Sequence, residues 1–363
     1  MKFSSLSSVA LDLIRIAASQ LVLVGHGISY FSIFKILQEP QAPYMQNIAV
    51  VIFFLLSGLL ITYSVFSKLE NPNYKFTLFL IERFSRIYSA LIPALFFIIA
   101  IDTLSKSIFP NYPYEKAFDL KHFFGNILML QDHPIQTFIN QNYITSFGSG
   151  RPLWTLAIEW WLYMWFGYLT IILAKIKLSN IRVIHVGVLL VLSIVPIYNL
   201  IGGRGHGLAA IWLMGAIIYW RLTNNNSCME KGKDRYIYVS LLFTSLAIIR
   251  ITITKQAYDV IFALLIAIAL FYLLIVFQKT TFVINDKTKR KIKFIADYSF
   301  TLYLTHYSIL DFMANVKNFV SPYILFGGAF IICNIIAILL AYCSEMRHKE
   351  LAVKITNTLL VRK

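Results

Sequence analysis

The stretch Leu11–Gly27, LDLIRIAASQLVLVGHG, decides how the rest of the chain is read. It is apolar enough to cross a bilayer, yet it carries Asp12, Arg15 and His26. A spanning helix needs about 20 mostly apolar residues, and an ionisable group at that depth costs about 2.5–3.5 kcal/mol on the insertion scale, which marks it as a candidate functional group. Arg15 and His26 are eleven residues apart. That is about three helical turns, so the two share a face and lie about 16 Å apart along the axis. Asp12 precedes Arg15 by one turn and can pair with it. Arg15 is placed either to snorkel to headgroups or to meet a ligand; His26 lies deep. The segment is no signal peptide, because charges interrupt it and no small-residue cleavage site follows.

Outward from this stretch, the composition agrees. Of 363 residues, 58% are hydrophobic and only 14% charged, with a net charge of +16. A soluble chain of this length has roughly a quarter of its residues charged. Too few polar residues are present to cover soluble domains; the hydrophobicity excludes disorder, and a nucleic-acid binder is a poor reading of the charge. Cys228, Cys333 and Cys343 have no paired or metal-like spacing, so no disulfide framework and no metal site is expected. The expectation is an all-α polytopic membrane protein of about ten helices, at 9–31, 46–66, 87–107, 153–174, 183–201, 208–221, 236–253, 260–278, 295–316 and 323–343. His122–Leu130 is apolar but too short to span, and reads as interfacial or re-entrant. With the N-terminus inside, 23 of the 33 Lys and Arg fall on the inner side, 9 outside, and Arg15 within the first span. The positive-inside rule then makes both termini cytoplasmic and 105–152 the longest outer loop. Residues 1–343 form the membrane domain and 344–363 a short basic cytoplasmic tail.

Four further constellations carry chemistry-bearing groups. FLIERFSRIYSALIP (79–93) places Arg83 and Arg86 at i,i+3 on the cytoplasmic side; paired guanidiniums suit phosphates, but plain topology signal explains them as well. RPLWTLAIEWWLYM (151–164) puts Glu159 about two turns inside a helix, with Tyr163 one turn on, and Trp154 among tryptophans that suit an interfacial belt. ADYSFTLYLTHYSIL (296–310) aligns Ser299, Tyr303 and His306 on one helical face, with Asp297 at its start. Ordinary interhelical hydrogen bonds account for that face equally. FFLLSGLLI (53–61) contains Ser57-Gly58, a small-residue pair whose expected use is close helix packing. His306 and Asp311 have a His-x4-Asp spacing, but on a helix five residues put two side chains about 140° apart, so no dyad is expected from them.

Taken in order, Arg15-x10-His26, the FFLLSGLLI segment, Arg83-x-x-Arg86, LWTLAIEWWLY (153–163) and YSFTLYLTHYSI (298–309) resemble the acyltransferase family 3 membrane proteins over nearly the whole chain. The chain departs from the family pattern in having Ser89 near a usual proline (the proline here is Pro93), Leu59 where Phe is common, and Ser308 where a proline often follows the histidine. The resemblance implies a stand-alone O-acyltransferase without a fused soluble domain. It also implies transfer of an acyl group, by default acetyl, from cytoplasmic acyl-CoA to an extracytoplasmic carbohydrate hydroxyl. Acetyl-CoA is then a co-substrate and no cofactor is permanently bound. On this reading Arg15, Arg83 and Arg86 meet the donor, and His26 is the general base or a transient acyl carrier. Glu159 orients a histidine or binds acceptor hydroxyls, and Asp12, Trp154, Tyr303 and His306 are secondary candidates. The expected partners are acyl-CoA, a carbohydrate acceptor and membrane lipids, with no nucleic acid and an open oligomeric state. The expected place is the inner membrane of a bacterium, the Ile/Lys/Asn-rich usage fitting an AT-rich genome. The competing reading is a secondary transporter using the intramembrane Arg, His and Glu. It calls for two matching halves, and Arg15-x10-His26 has no counterpart in the second half.

Overall fold

The computed structural model describes residues 3–136, 143–177, 181–224, 232–282 and 284–361. Lys2, Cys228, Lys231, Arg362 and Lys363, used in the sequence reading, lie outside them. The described residues form helices and no strand. In chain order the helices are α1 Ser5–Phe31, α2 Met45–Phe66, α3 Phe76–Ile108, α4 Leu120–Ile127, α5 Leu153–Lys175, α6 Val183–Ile201, α7 Leu208–Asn224, α8 Lys233–Thr254, α9 Val260–Lys279, α10 Asp286–Asp297, α11 Ser299–Ala314, α12 Pro322–Cys343 and α13 His348–Thr356. Among the described residues, eight helices are long and apolar enough to cross a membrane. The chain is a multi-pass membrane protein.

The expected segment 295–316 is not one helix. It breaks at Tyr298 between α10 and α11. The physical reason is a cap. Glu345 accepts hydrogen bonds from the Thr301 amide at 2.9 Å and from the Thr301 hydroxyl at 2.6 Å. A carboxylate on first-turn N–H groups satisfies donors that an unbroken helix would have bonded internally, and it suits the positive end of the dipole. The short apolar stretch near 122–130 is the eight-residue α4, which Asp119 caps by accepting from the His122 amide at 2.7 Å.

The chain forms two compact units. The first comprises residues 1–25, 34–70 and 200–296. In it α2 packs on α7, and α9 on α7 and α8. The α2–α7 contact is built on glycine. A Cβ on Gly58 would overlap the Trp212 carbonyl, and one on Gly215 would overlap the Leu55 carbonyl. Trp212 Nε1 donates to Ser57 Oγ at 3.0 Å across the same contact. The Ser57-Gly58 pair thus does what its sequence suggested.

The second unit comprises residues 26–33, 71–199 and 297–363. Helix α3 is its axis, packed by α5, α11 and α13. At Gly167 of α5 the Phe79 ring of α3 fills the space a side chain would take. The residues after α12 fold back into this unit: Glu345 is fully buried, and α13 packs on α3.

Candidate active site

Helix α1 is unbroken from Ser5 to Phe31, so Arg15 and His26 keep the register read from the sequence. Arg15 belongs to the first unit and His26 to the second. Arg15 Nη2 donates to Asp12 Oδ1 at 3.0 Å, the expected one-turn pair.

In the second unit the last turns of α1 face α11. The His26 ring lies 5.4 Å from the His306 ring and meets Tyr307 edge-on at 5.1 Å. Tyr30, one turn beyond His26, meets Tyr307 edge-on at 5.0 Å. His306 is fully buried. Its Nδ1 lies 3.1 Å from the Leu302 carbonyl and 2.9 Å from the Tyr303 carbonyl. Carbonyls only accept, so Nδ1 carries the proton and Nε2 holds a lone pair. Nε2 is buried with no hydrogen-bond partner.

The α11 face extends further than the three residues read from its spacing. Tyr303 Oη lies 2.6 Å from Thr155 Oγ1 on α5. Asp311 Oδ1 accepts from Tyr30 Oη at 3.0 Å and from Tyr114 Oη at 2.8 Å. His306 and Asp311 serve different partners, as their angular separation requires. Ser308 Oγ lies 2.6 Å from Ser149 Oγ, which lies 2.6 Å from Asp102 Oδ1. Asp102, 2% exposed on α3, also accepts from the Ser149 amide at 2.8 Å and from Tyr112 Oη at 2.7 Å. Gly148 beside it has φ +51°, and a Cβ there would overlap the Asp102 carboxylate. The connection between α3 and α5 is thereby tied to α3 and α11.

That connection is held elsewhere too. Trp161 Nε1 donates to the Met129 carbonyl at 2.9 Å, and Gln131 Nε2 donates to the Leu153 carbonyl at 2.8 Å. Burial, then the hydrogen bond to Asp102, pushes the Tyr112 hydroxyl well above its ordinary pKa. Burial, then the Asp311 charge, does the same at Tyr114. Both therefore stay protonated hydrogen-bond donors.

Glu159 is half-buried on α5 and accepts from Tyr163 Oη one turn on, the pairing its depth demanded. Trp154 is buried at the start of the same helix. Arg83 and Arg86 do not form a matched pair. Arg86 Nη1 lies 2.8 Å from Glu345 Oε1, with the guanidinium 6.0 Å from the Phe300 ring. Arg83 lies over the Phe79 ring at 5.7 Å, its Nη2 3.8 Å from Glu82 Oε2.

The sequence reading missed Asp102, Ser149, Tyr30, Tyr114 and Glu345. Asp102 had a readable signal, since it is a carboxylate within an expected span. The others had none: two tyrosines among 21 are unremarkable, and Glu345 sits past the last span. Among the described residues no group of His, Cys, Asp and Glu is arranged to hold a metal ion.

His306, Asp102 and Glu345 are buried polar groups among the helices of a multi-pass membrane protein. The family model for this acyltransferase domain matches residues 8–343. The chain belongs to acyltransferase family 3 and is a membrane acyltransferase. No curated protein and no solved structure is similar enough to match it.

Proposed function

We propose that this protein moves an acyl group, by default acetyl, from acyl-CoA to a hydroxyl of a carbohydrate on the far side of the membrane. The observation that carries the reading is His26: an imidazole in the last turns of a spanning helix, packed against His306 and Tyr307 in a chain of acyltransferase family 3. A sugar hydroxyl is a poor nucleophile until its proton is taken in the transition state, and imidazole is the side chain whose ordinary pKa, about 6.5, lies near working pH. In the step proposed, His26 takes the hydroxyl proton while that oxygen bonds to the thioester carbon. The C–S bond then breaks, and the CoA thiolate leaves with the proton.

The donor enters from the side richer in Lys and Arg, taken as cytoplasmic, in the inner membrane of a bacterium. Arg83 meets its phosphates, and Arg15 is a donor contact within its own unit. Arg86 lies on the same helix as Arg83, but Glu345 already holds it, so a phosphate there competes with a carboxylate. The pantetheine arm is of the order of the roughly 16 Å rise from Arg15 to His26. The acceptor side is Asp311 with Tyr30, Tyr114 and Tyr307. Asp311 Oδ1 takes both tyrosine hydroxyls, and a carboxylate among aromatic ring faces suits a polyhydroxylated ring. Glu159 and Trp154 support the site from α5.

The test is thiol release. Purified protein with acetyl-CoA and a glycan acceptor should liberate free CoA only when both are present. His26→Ala should lower the rate by about 100-fold or more, the range for a lost general base, with an unchanged elution profile in detergent. Full activity in a well-folded His26→Ala protein would remove the assignment.

A further inference from the structure

Resting on His26 as the base, we infer that His306 is its positioning residue, with Nε2 accepting a hydrogen bond from a His26 ring N–H and so fixing the reactive tautomer. Three observations converge. The first is the tautomer of His306 itself. Two backbone carbonyls of its own helix, Leu302 and Tyr303, engage Nδ1 and oblige it to carry the proton. Nε2, on the opposite edge of the ring, is therefore an acceptor pointing away from the α11 backbone.

The second is the vacancy of that acceptor. His306 is 0% exposed, and Nε2 has no partner. A buried acceptor left unsatisfied costs about 1–3 kcal/mol, which calls for a donor. The third is the identity of the neighbours. Tyr303 Oη is bonded to Thr155, and the Tyr307 ring centre lies 6.3 Å from that of His306, farther than His26. What faces His306 with an N–H to give is His26, its ring centre 5.4 Å away. As the rings stand Nε2 has no hydrogen bond; an imidazole nitrogen lies about 1 Å from its ring centre, so at this separation a turn of the His26 ring can bring two nitrogens to about 3 Å, within hydrogen-bond range.

The consequence is chemical. A general base works with one nitrogen and needs the other held, or the proton sits on the wrong side. In soluble enzymes a carboxylate often holds it. A neutral imidazole does the same without placing an unpaired anion at membrane depth, where it would be costly. His26 then keeps its free lone pair for the acceptor hydroxyl, on the side away from His306.

Two measurements on the full-length protein in detergent test this. With selectively labelled 15N-histidine, a through-hydrogen-bond nitrogen–nitrogen coupling should join His26 and His306; its absence overturns the proposal. In kinetics, His306→Leu should lower kcat about 10–100-fold, with KM for donor and acceptor within about twofold. His306→Gln, whose amide oxygen can accept where Nε2 does, should recover most of the loss. Equal behaviour of the Leu and Gln variants, both active or both inactive, also overturns it. The His26→Ala arm separates the two ideas. If that variant keeps its kcat, the base assignment fails, whereas the coupling still reports the hydrogen bond.

Discussion

Arg86 and Glu345 are partnered at 2.8 Å, and the second oxygen of that glutamate caps α11 at Thr301. One carboxylate thus satisfies a cation on α3 and a helix terminus 44 residues before it in the chain. Glu345→Ala leaves a guanidinium and an amide without their acceptor. The expected loss is about 3 kcal/mol, the low end for a broken buried pair, because Arg86 keeps 24% of its side-chain surface exposed. Thermal unfolding in detergent reads it. A Glu345→Ala protein as stable as the parent would show that the pair contributes nothing.

The two arginines of the Arg-x-x-Arg pattern should separate in experiment. Arg83→Ala should raise the acyl-CoA KM roughly tenfold or more, the value of a charge-assisted phosphate contact, with little change in melting temperature. Arg86→Ala should chiefly lower the melting temperature, because it strands Glu345. Steady-state kinetics beside a melting curve for each variant decides, and the reverse pattern would reassign them.

At the other end of α11, Asp311→Asn and Tyr114→Phe should raise the acceptor KM several-fold and leave the acyl-CoA KM unchanged. Both substitutions keep shape and remove one hydrogen-bonding capability. Donor and acceptor titrations at saturating partner check it. A change confined to the donor KM would move this cluster out of the acceptor site.

Asp102→Ala should destabilise the protein by about 2–4 kcal/mol, since it leaves the Ser149 amide, the Ser149 hydroxyl and the Tyr112 hydroxyl without their acceptor. Gly148→Ala should act in the same direction through the φ of +51° and the overlap with the Asp102 carboxylate. Melting curves for the two variants and their double mutant test this. Strictly additive losses would show that the residues act independently, because groups in contact are expected to couple.

How much of this was legible in the sequence follows from the kind of signal each residue leaves. Nine of the ten expected spans each fall on one helix, because a 20-residue apolar run has few other ways to satisfy its backbone in lipid. The exception is instructive: hydropathy continues through 295–316, and the break at Tyr298 depends on a glutamate far along the chain. The one-turn pairs Asp12–Arg15 and Glu159–Tyr163 were readable because helix geometry alone brings them together. His26 beside His306, and Asp311 beside Tyr30 and Tyr114, were not. They come from separate segments, and nothing local to either sequence specifies which face meets which. The same holds for Arg86, whose spacing from Arg83 suggested a joint role that Glu345 divides.

The glycines of the α2–α7 contact bear on how this chain tolerates variation. Gly58 and Gly215 stand 157 positions apart and each faces the other helix's main chain rather than a side chain. Peptide carbonyls cannot yield as a leucine rotamer can, so these sites discriminate by volume and ignore polarity. In a saturation library, alanine and serine should be depleted there as strongly as aspartate. Scores built on membrane hydropathy would rate alanine harmless at both positions.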